Sequence, residues 1–164
     1  MNIALVGYGK MGQAIESIAI ERGHKISHKI SIDNVDDINL IKPENTDVAI
    51  EFTMPDAALK NLTTLLSNGV HVVCGTTGWL EHLPTIETLT KENNAAFFYA
   101  SNFSIGVNIF FKLNKVLAKI MNNYSNDYDV EMEEIHHIHK LDAPSGTAIT
   151  LAEGVMESFE NKQQ

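Results

Sequence analysis

Gly7-Tyr8-Gly9-Lys10-Met11-Gly12 constrains the fold more than any other stretch of this 164-residue chain. It follows Ile3 to Val6, an apolar run of strand length. It opens the helix in which Met11, Ala14, Ile15, Ile18 and Ala19 recur at helical spacing up to a stop at Gly23. Between a strand and a helix, the first glycine permits a tight turn. The second lets a pyrophosphate approach the backbone, and the third lets helix and strand pack closely. The helix start then offers unpaired N–H groups and a positive dipole end to phosphates. Gly7, Tyr8, Gly9, Lys10, Met11 and Gly12 are therefore read as a dinucleotide-binding loop, against the alternative of a glycine-rich turn that binds nothing.

The alternation continues along the chain. Strands are expected at Lys25 to Ile32, Asp47 to Phe52, Val70 to Cys74 and Ala95 to Tyr99. Pro55 opens a helix with Ala58, Leu62, Leu65 and Leu66 inward and Gly69 as its stop, and Glu81 to Asn93 forms another. Strands alternating with helices imply an α/β fold with a mostly parallel sheet covered on both faces. After about residue 104 the pattern changes. Ile109, Phe110, Leu113, Val116, Leu117, Ile120 and Met121 predict a long amphipathic helix. Tyr128 to Ile138 then alternates with a period of two, as a half-exposed strand does. A last helix is expected from about Gly146 to Phe159. The domains are read as 1–104, a Rossmann-type dinucleotide-binding domain, and 105–164, an α+β domain. The second has one strand and two helices, too little for a covered sheet, so it is expected to be incomplete.

Composition narrows the partners. Twelve basic against 21 acidic residues give a net charge of −9, which argues against nucleic acid or an anionic membrane surface as partner. The single cysteine, Cys74, excludes an intramolecular disulfide and a multi-thiolate zinc site. No apolar run reaches membrane-span length, and the N-terminus has no basic region before its apolar run, so a cytoplasmic protein is expected.

Four further segments carry chemistry. Asp33 stands 21 residues after Gly12, where an acidic residue would accept hydrogen bonds from an adenosine ribose and favour NADH; a plain loop aspartate is an equal alternative. Lys10 and Lys29 could contact a 2′-phosphate, although a solvated lysine is the plainer reading of each. Cys74-Gly75-Thr76-Thr77-Gly78 ends the fourth strand at the edge where ligands bind in a doubly wound sheet, and Gly75, Thr76 and Thr77 are assigned to the nicotinamide side. Cys74 itself reads as a small buried residue, and Glu51-Phe52-Thr53 ends the third strand with a weaker signal of the same kind.

Glu134-Ile135-His136-His137-Ile138-His139-Lys140 is the most informative segment. The period-two pattern places His136 and Lys140 on the face of Tyr128, Val130 and Met132, where burial is expected, and His137 and His139 on the other. Acid–base chemistry, a metal site from His137 and His139, and a structural role compete here, with the metal reading behind because no further ligand is close in sequence. Ser145 would cap the final helix. Gly146 and Thr147 would then present N–H groups and a hydroxyl to an anion such as a carboxylate.

These stretches together resemble the dihydrodipicolinate reductase family of lysine and diaminopimelate biosynthesis. The resemblance rests on Val6 to Gly12, Glu51-Phe52-Thr53, Gly75 to Gly78, Ala100 to Asn108 and Glu134 to Ala148, in that order. It implies NADH- or NADPH-dependent reduction, without a metal, of a cyclic unsaturated dicarboxylate. It further implies that His136 is the acid–base residue, that Lys140 is the proton donor, and that His137, Gly146 and Thr147 hold the substrate carboxylates. Ala100, Ser101, Asn102 and Phe103 line the nicotinamide side by the same resemblance, and the assembly is a homotetramer joined through the second domain. The glycine loop is one residue shorter than the family's commoner form, with Lys10 where arginine is usual, which leaves NADH against NADPH open. Family chains continue beyond the point matching Gln164, so this chain is expected to be a fragment. A non-catalytic NAD(P)-binding fragment and a related amino-acid-pathway dehydrogenase are the alternatives.

Overall fold

The computed structural model describes residues 1–138 and 143–159. It divides into two compact units, Met1–Ala100 and Ser101–Gln164.

The first unit is a five-stranded parallel sheet in the order β2-β1-β3-β4-β5. The strands are β1 (Asn2–Val6), β2 (Lys25–Ile30), β3 (Val48–Glu51), β4 (Val72–Cys74) and β5 (Phe97–Tyr99); the helices are α1 (Lys10–Glu21), α2 (Pro55–Ser67) and α3 (Leu83–Glu92). β1 shows why both faces must be covered. Ala4 and Val6 join one core cluster with Leu62, Leu65 and Leu66 of α2 and with Trp79 and Ile86. Ile3 and Leu5 join another with Ala19 and Ile15 of α1. Strands buried on both sides read as continuous apolar runs. The strand order reverses between β1 and β3, so the crevice above their carboxyl ends is the binding position of a doubly wound sheet.

Several boundaries differ from expectation. β2 stops at Ile30 because Ser31 and Asn34 form a capping box that starts a 3₁₀ segment, Ile32–Leu40. Ile32 is left outside the sheet and exposed. The helix expected from Glu81 begins as a 3₁₀ turn, Leu80–His82, and restarts as α3 with Pro84 in its first turn, where its missing N–H costs nothing.

The second unit contains α4 (Ile105–Met121) and α5 (Gly146–Met156), each capped by a serine hydroxyl. α5 packs on α4 where Gly154 lies against Lys115, and Asn114 Nδ2 donates to the Leu151 carbonyl at 2.9 Å. The strand expected at Tyr128 to Ile138 does not form: residues 128–137 have no ladder partner among the described residues. A lone extended segment cannot pair its own backbone groups. Tyr128, Val130 and Met132, expected inward, are exposed for the same reason. The stripe of α4 also differs. Ile109, Phe110, Leu113, Val116, Leu117 and Ile120 are each half exposed or more, and only Ala118 of α4 is buried. No helix of the described residues is long and apolar enough to cross a membrane.

Candidate active site

The glycine loop sits at the β1/β3 crevice. Gly7 has φ +96°, and a Cβ there would stand 1.9 Å from the Phe52 carbonyl oxygen, so the turn admits no side chain. The Gly7 and Tyr8 N–H groups both donate to the Ile30 carbonyl, at 3.0 and 2.8 Å, which ties the loop to the end of β2. A Cβ on Gly12 would stand 2.6 Å from the Gly7 carbonyl oxygen; this is the close approach of helix to loop. Gly9 is different, because a Cβ there would meet nothing within 4 Å. No contact among the described residues requires glycine at position 9. Gly9 precedes α1, whose start has no side-chain cap and no acidic residue in its first turn. The N–H groups there are thus left to a ligand or water.

A cleft of about 560 Å³ opens beside this loop. Its walls include Gly7, Tyr8, Gly9, Asp33, Phe52 and Thr53. Asp33 is exposed in the first turn of the 3₁₀ segment, with its N–H on the Ser31 hydroxyl. Lys10 and Met11 are exposed at the start of α1 and are not among the residues lining the cleft.

Tyr8, Glu16 and Lys29 form a group at the edge of the cleft. The Tyr8 hydroxyl donates to Glu16, the Lys29 ammonium stands 2.6 Å from the same carboxylate, and it lies 5.0 Å from the centroid of the Tyr8 ring. Lys29 is therefore committed to Glu16. Hydrogen bonds from Lys29 and then Tyr8 hold the Glu16 carboxyl below its ordinary value of 4.5, and the bond to Glu16 raises Lys29 above 10.5. A depressed carboxyl stabilises the fold above its unfolded pKa, and that gain is lost as pH falls through the folded one. A raised ammonium contributes below its unfolded pKa and loses the gain as pH rises through the folded one. The pair therefore acts between about pH 4.5 and 10.5. Glu16→Gln should lower the melting temperature slightly at pH 7. The gap from wild type should narrow as pH falls below 4.5 and through the lowered folded-state value, as thermal scans across pH would register.

The loop after β4 is built by a network that sequence reading left at a weak signal. Glu51 is fully buried; it accepts from the Thr53 hydroxyl and, at 3.1 Å, from the Cys74 thiol. The Thr53 N–H donates to the Thr76 hydroxyl at 2.7 Å, and Gly75 makes room for the Phe52 ring. Thr76 is thus buried and faces inward, whereas Gly75 and Thr77 are half-buried. The Thr76 carbonyl accepts from the Trp79 indole at 2.7 Å. Burial first, and the Glu51 carboxylate second, push the Cys74 thiol well above its ordinary range, so it is no nucleophile. The Ala100 N–H donates to the Cys74 carbonyl at 3.3 Å.

In the second unit, the Ser101 hydroxyl lies 3.5 Å from that of Thr150. Asn102 is used structurally, with its side chain accepting from the Ser104 N–H at 2.9 Å ahead of α4; Phe103 is exposed. His136 and His137 are both exposed, against the burial expected of His136. Lys140, with His139 and Asp142, lies outside the described residues. Sequence reading passed over Glu134. Its Oε1 accepts from the Ser145 N–H at 2.8 Å, and its Oε2 accepts from the Ser145 hydroxyl at 2.6 Å and stands 2.9 Å from His136 Nε2. The Ser145 hydroxyl, its backbone N–H and His136 together hold the Glu134 carboxyl below the usual carboxylate range. The Ala148 N–H is capped by Ser145, while the N–H groups of Gly146 and Thr147 have no acceptor among the described residues. No group of three or more His, Cys, Asp or Glu among the described residues could hold a metal ion.

The chain is similar to characterised proteins over both units. Residues 1–103 match the family model described as dihydrodipicolinate reductase, N-terminus, and residues 106–164 match dihydrodipicolinate reductase, C-terminus. The 4-hydroxy-tetrahydrodipicolinate reductase of Christiangramia forsetii is 52% identical over 157 residues, which cover 96% of this chain and 64% of that protein. That of Methanocaldococcus jannaschii is 40% identical over 91% of this chain and 47% of its own length. A dipicolinate-bound dihydrodipicolinate reductase from Paenisporosarcina sp. TG-14 superposes with a TM-score of 0.64 at 26% identity, covering 100% of this chain and 69% of that one. The chain thus spans between about half and two thirds of the length of these curated relatives. With its doubly wound first unit and both halves matched in order, the chain belongs to the dihydrodipicolinate reductase family.

Proposed function

We propose that the whole protein reduces 4-hydroxy-tetrahydrodipicolinate to tetrahydrodipicolinate with NADH or NADPH. The observation that carries this reading is the match of both halves of the chain to one reductase family, in order and nearly end to end. The first unit fits a dinucleotide: α1 begins without a side-chain cap, and Gly9 leaves its approach open. In this reading Gly7 to Gly12 bind the pyrophosphate, and Asp33 takes the ribose. Gly75 to Thr77 and Ala100 to Phe103 line the nicotinamide side. When bound, the reduced nicotinamide supplies a hydride to the substrate's conjugated imine. The N–H groups of Gly146 and Thr147, with His137, hold the dicarboxylate. Lys140 donates the proton that balances the charge left by hydride delivery, and His136 serves as acid–base residue. No residue assigned here requires a metal. A cytoplasmic homotetramer completes the proposal, and light scattering of the purified whole protein tests its assembly.

The deciding assay follows absorbance of the reduced cofactor with the product of dihydrodipicolinate synthase. Oxidation that depends on that compound supports the reading; its absence in the whole protein overturns it. Cofactor binding without turnover by these 164 residues is a second reading, favoured by the exposed stripe of α4 and the unpaired segment 128–137. Asp33 tests the cofactor choice. Asp33→Ala should weaken NADH binding more than NADPH binding, because a carboxylate accepts from the ribose hydroxyls and repels a 2′-phosphate. Titration calorimetry with each nucleotide reads the difference, and equal losses would return Asp33 to a plain loop role.

A further inference from the structure

Glu134 touches three groups from two parts of the second unit. One carboxylate spans the Ser145 N–H, the Ser145 hydroxyl and the His136 imidazole, at 2.8, 2.6 and 2.9 Å. Ser145 is buried, and Glu134 is only a quarter exposed, so these bonds are partly shielded from water. An ionised carboxylate only accepts hydrogen bonds. Its partner on the imidazole is Nε2, so a neutral ring bonded to it carries its hydrogen there and has its lone pair on Nδ1. The same carboxylate fixes Ser145, whose hydroxyl in turn caps Ala148. The start of α5 is then ordered, with the Gly146 and Thr147 N–H groups left without an acceptor among the described residues.

We propose that Glu134 is a positioning residue: it locks His136 in the Nε2–H tautomer, leaves Nδ1 as the nitrogen that exchanges the proton, and aligns the anion-binding start of α5 with that ring. Its kinetic half rests on the reductase reading above; its structural half does not. The depressed carboxyl of Glu134 agrees with an acceptor-only role at neutral pH. Third groups that orient a base in this way recur in catalytic sites, where they fix which nitrogen is protonated.

Two measurements test it. The first is nitrogen-edited NMR of the His136 ring at a pH where the imidazole is neutral. Wild type should show the Nε2–H tautomer, and Glu134→Gln should move the ring signals toward a mixture. An Nδ1–H tautomer in wild type, or unmoved signals in a folded Glu134→Gln variant, would overturn the proposal. The second is steady-state kinetics of the whole protein. Glu134→Gln keeps the shape but loses the charge, and should lower kcat about 10- to 100-fold, the worth of one hydrogen bond to a charged group. The KM for NADH should not change, and the melting temperature should fall only slightly, because a carboxyl held below its ordinary range contributes to stability at neutral pH. Native kcat in that variant, or a loss of activity that only tracks a loss of melting temperature, would overturn the positioning role. A wild-type protein that never turns over would overturn the reductase reading and with it the kinetic half. Ring signals that still respond to Glu134→Gln would identify that failure as one of function and not of geometry.

Discussion

His136→Ala and Lys140→Ala, each made in the whole protein, should lower kcat by about 10²- to 10⁴-fold, the usual worth of a positioned acid or base. A proton donor acts on charge that exists only in the transition state, so its loss should fall on kcat and leave the KM for NADH near its native value. His136 stands 2.9 Å from the Glu134 carboxylate, so its removal also frees that group, and the pH–rate profile should change shape as well. His139→Ala, on the opposite face of the sequence pattern, should matter less. Steady-state kinetics across pH checks all three. Near-native kcat in Lys140→Ala, or activity abolished by a chelator and restored by zinc, would remove the acid–base assignment and reopen the metal reading.

Gly9→Val should leave the fold intact and weaken NADH and NADPH binding by about 100-fold or more. No atom of the described residues lies within 4 Å of a Cβ at residue 9, so the added β-carbon meets nothing in the fold. It would instead fill the approach to the uncapped start of α1. Losing two hydrogen bonds to charged phosphate at about 1.5 kcal/mol each accounts for the magnitude. Gly7→Val is the contrast: a Cβ 1.9 Å from the Phe52 carbonyl on a backbone at φ +96° should cost stability before it costs affinity. Calorimetric titration paired with thermal melts separates the two. A Gly9→Val protein that melts like wild type and binds like wild type would end the pyrophosphate assignment.

The first unit was legible because its signals are local. Ala58, Leu62, Leu65 and Leu66 are spaced for one helix face and occupy it, and Gly7 to Gly12 stand between a strand and a helix as the motif requires. Where reading failed there, a short-range polar bond overrode hydrophobic pattern: Ser31 and Asn34 stop β2 two residues early although Ile32 is as apolar as Ile30. In the second unit the alternation from Tyr128 to Met132 is a preference for pairing, and pairing needs a neighbour that the described residues do not provide. The site showed the same division. Residue types pointed to His136, Gly146 and Thr147, but nothing in the spacing joined Glu134 to Ser145, 11 positions away, because that bond depends on tertiary placement and not on local pattern. Glu51, within Glu51-Phe52-Thr53, gave only a weak signal for a related reason: a glutamate at a strand end does not show its burial until its partners, Thr53 and Cys74, are seen to enclose it.

Trp79 makes the loop after β4 optically visible. It is the chain's single tryptophan, 2% exposed, and it stands edge-on to Phe97 and Tyr99 at 5.8 and 5.5 Å. Its indole N–H is bonded to the Thr76 carbonyl, so the fluorophore is tethered to the loop that runs from Gly75 to Thr77. Emission from this one residue is uncontaminated by any other indole and should be blue-shifted while Trp79 stays buried. Reduced nicotinamide absorbs where tryptophan emits, so a nucleotide seated against the loop would quench it by energy transfer, whereas one held only at the glycine turn would quench it less. The molecule thereby carries its own spectroscopic ruler for how far a bound dinucleotide extends across the sheet.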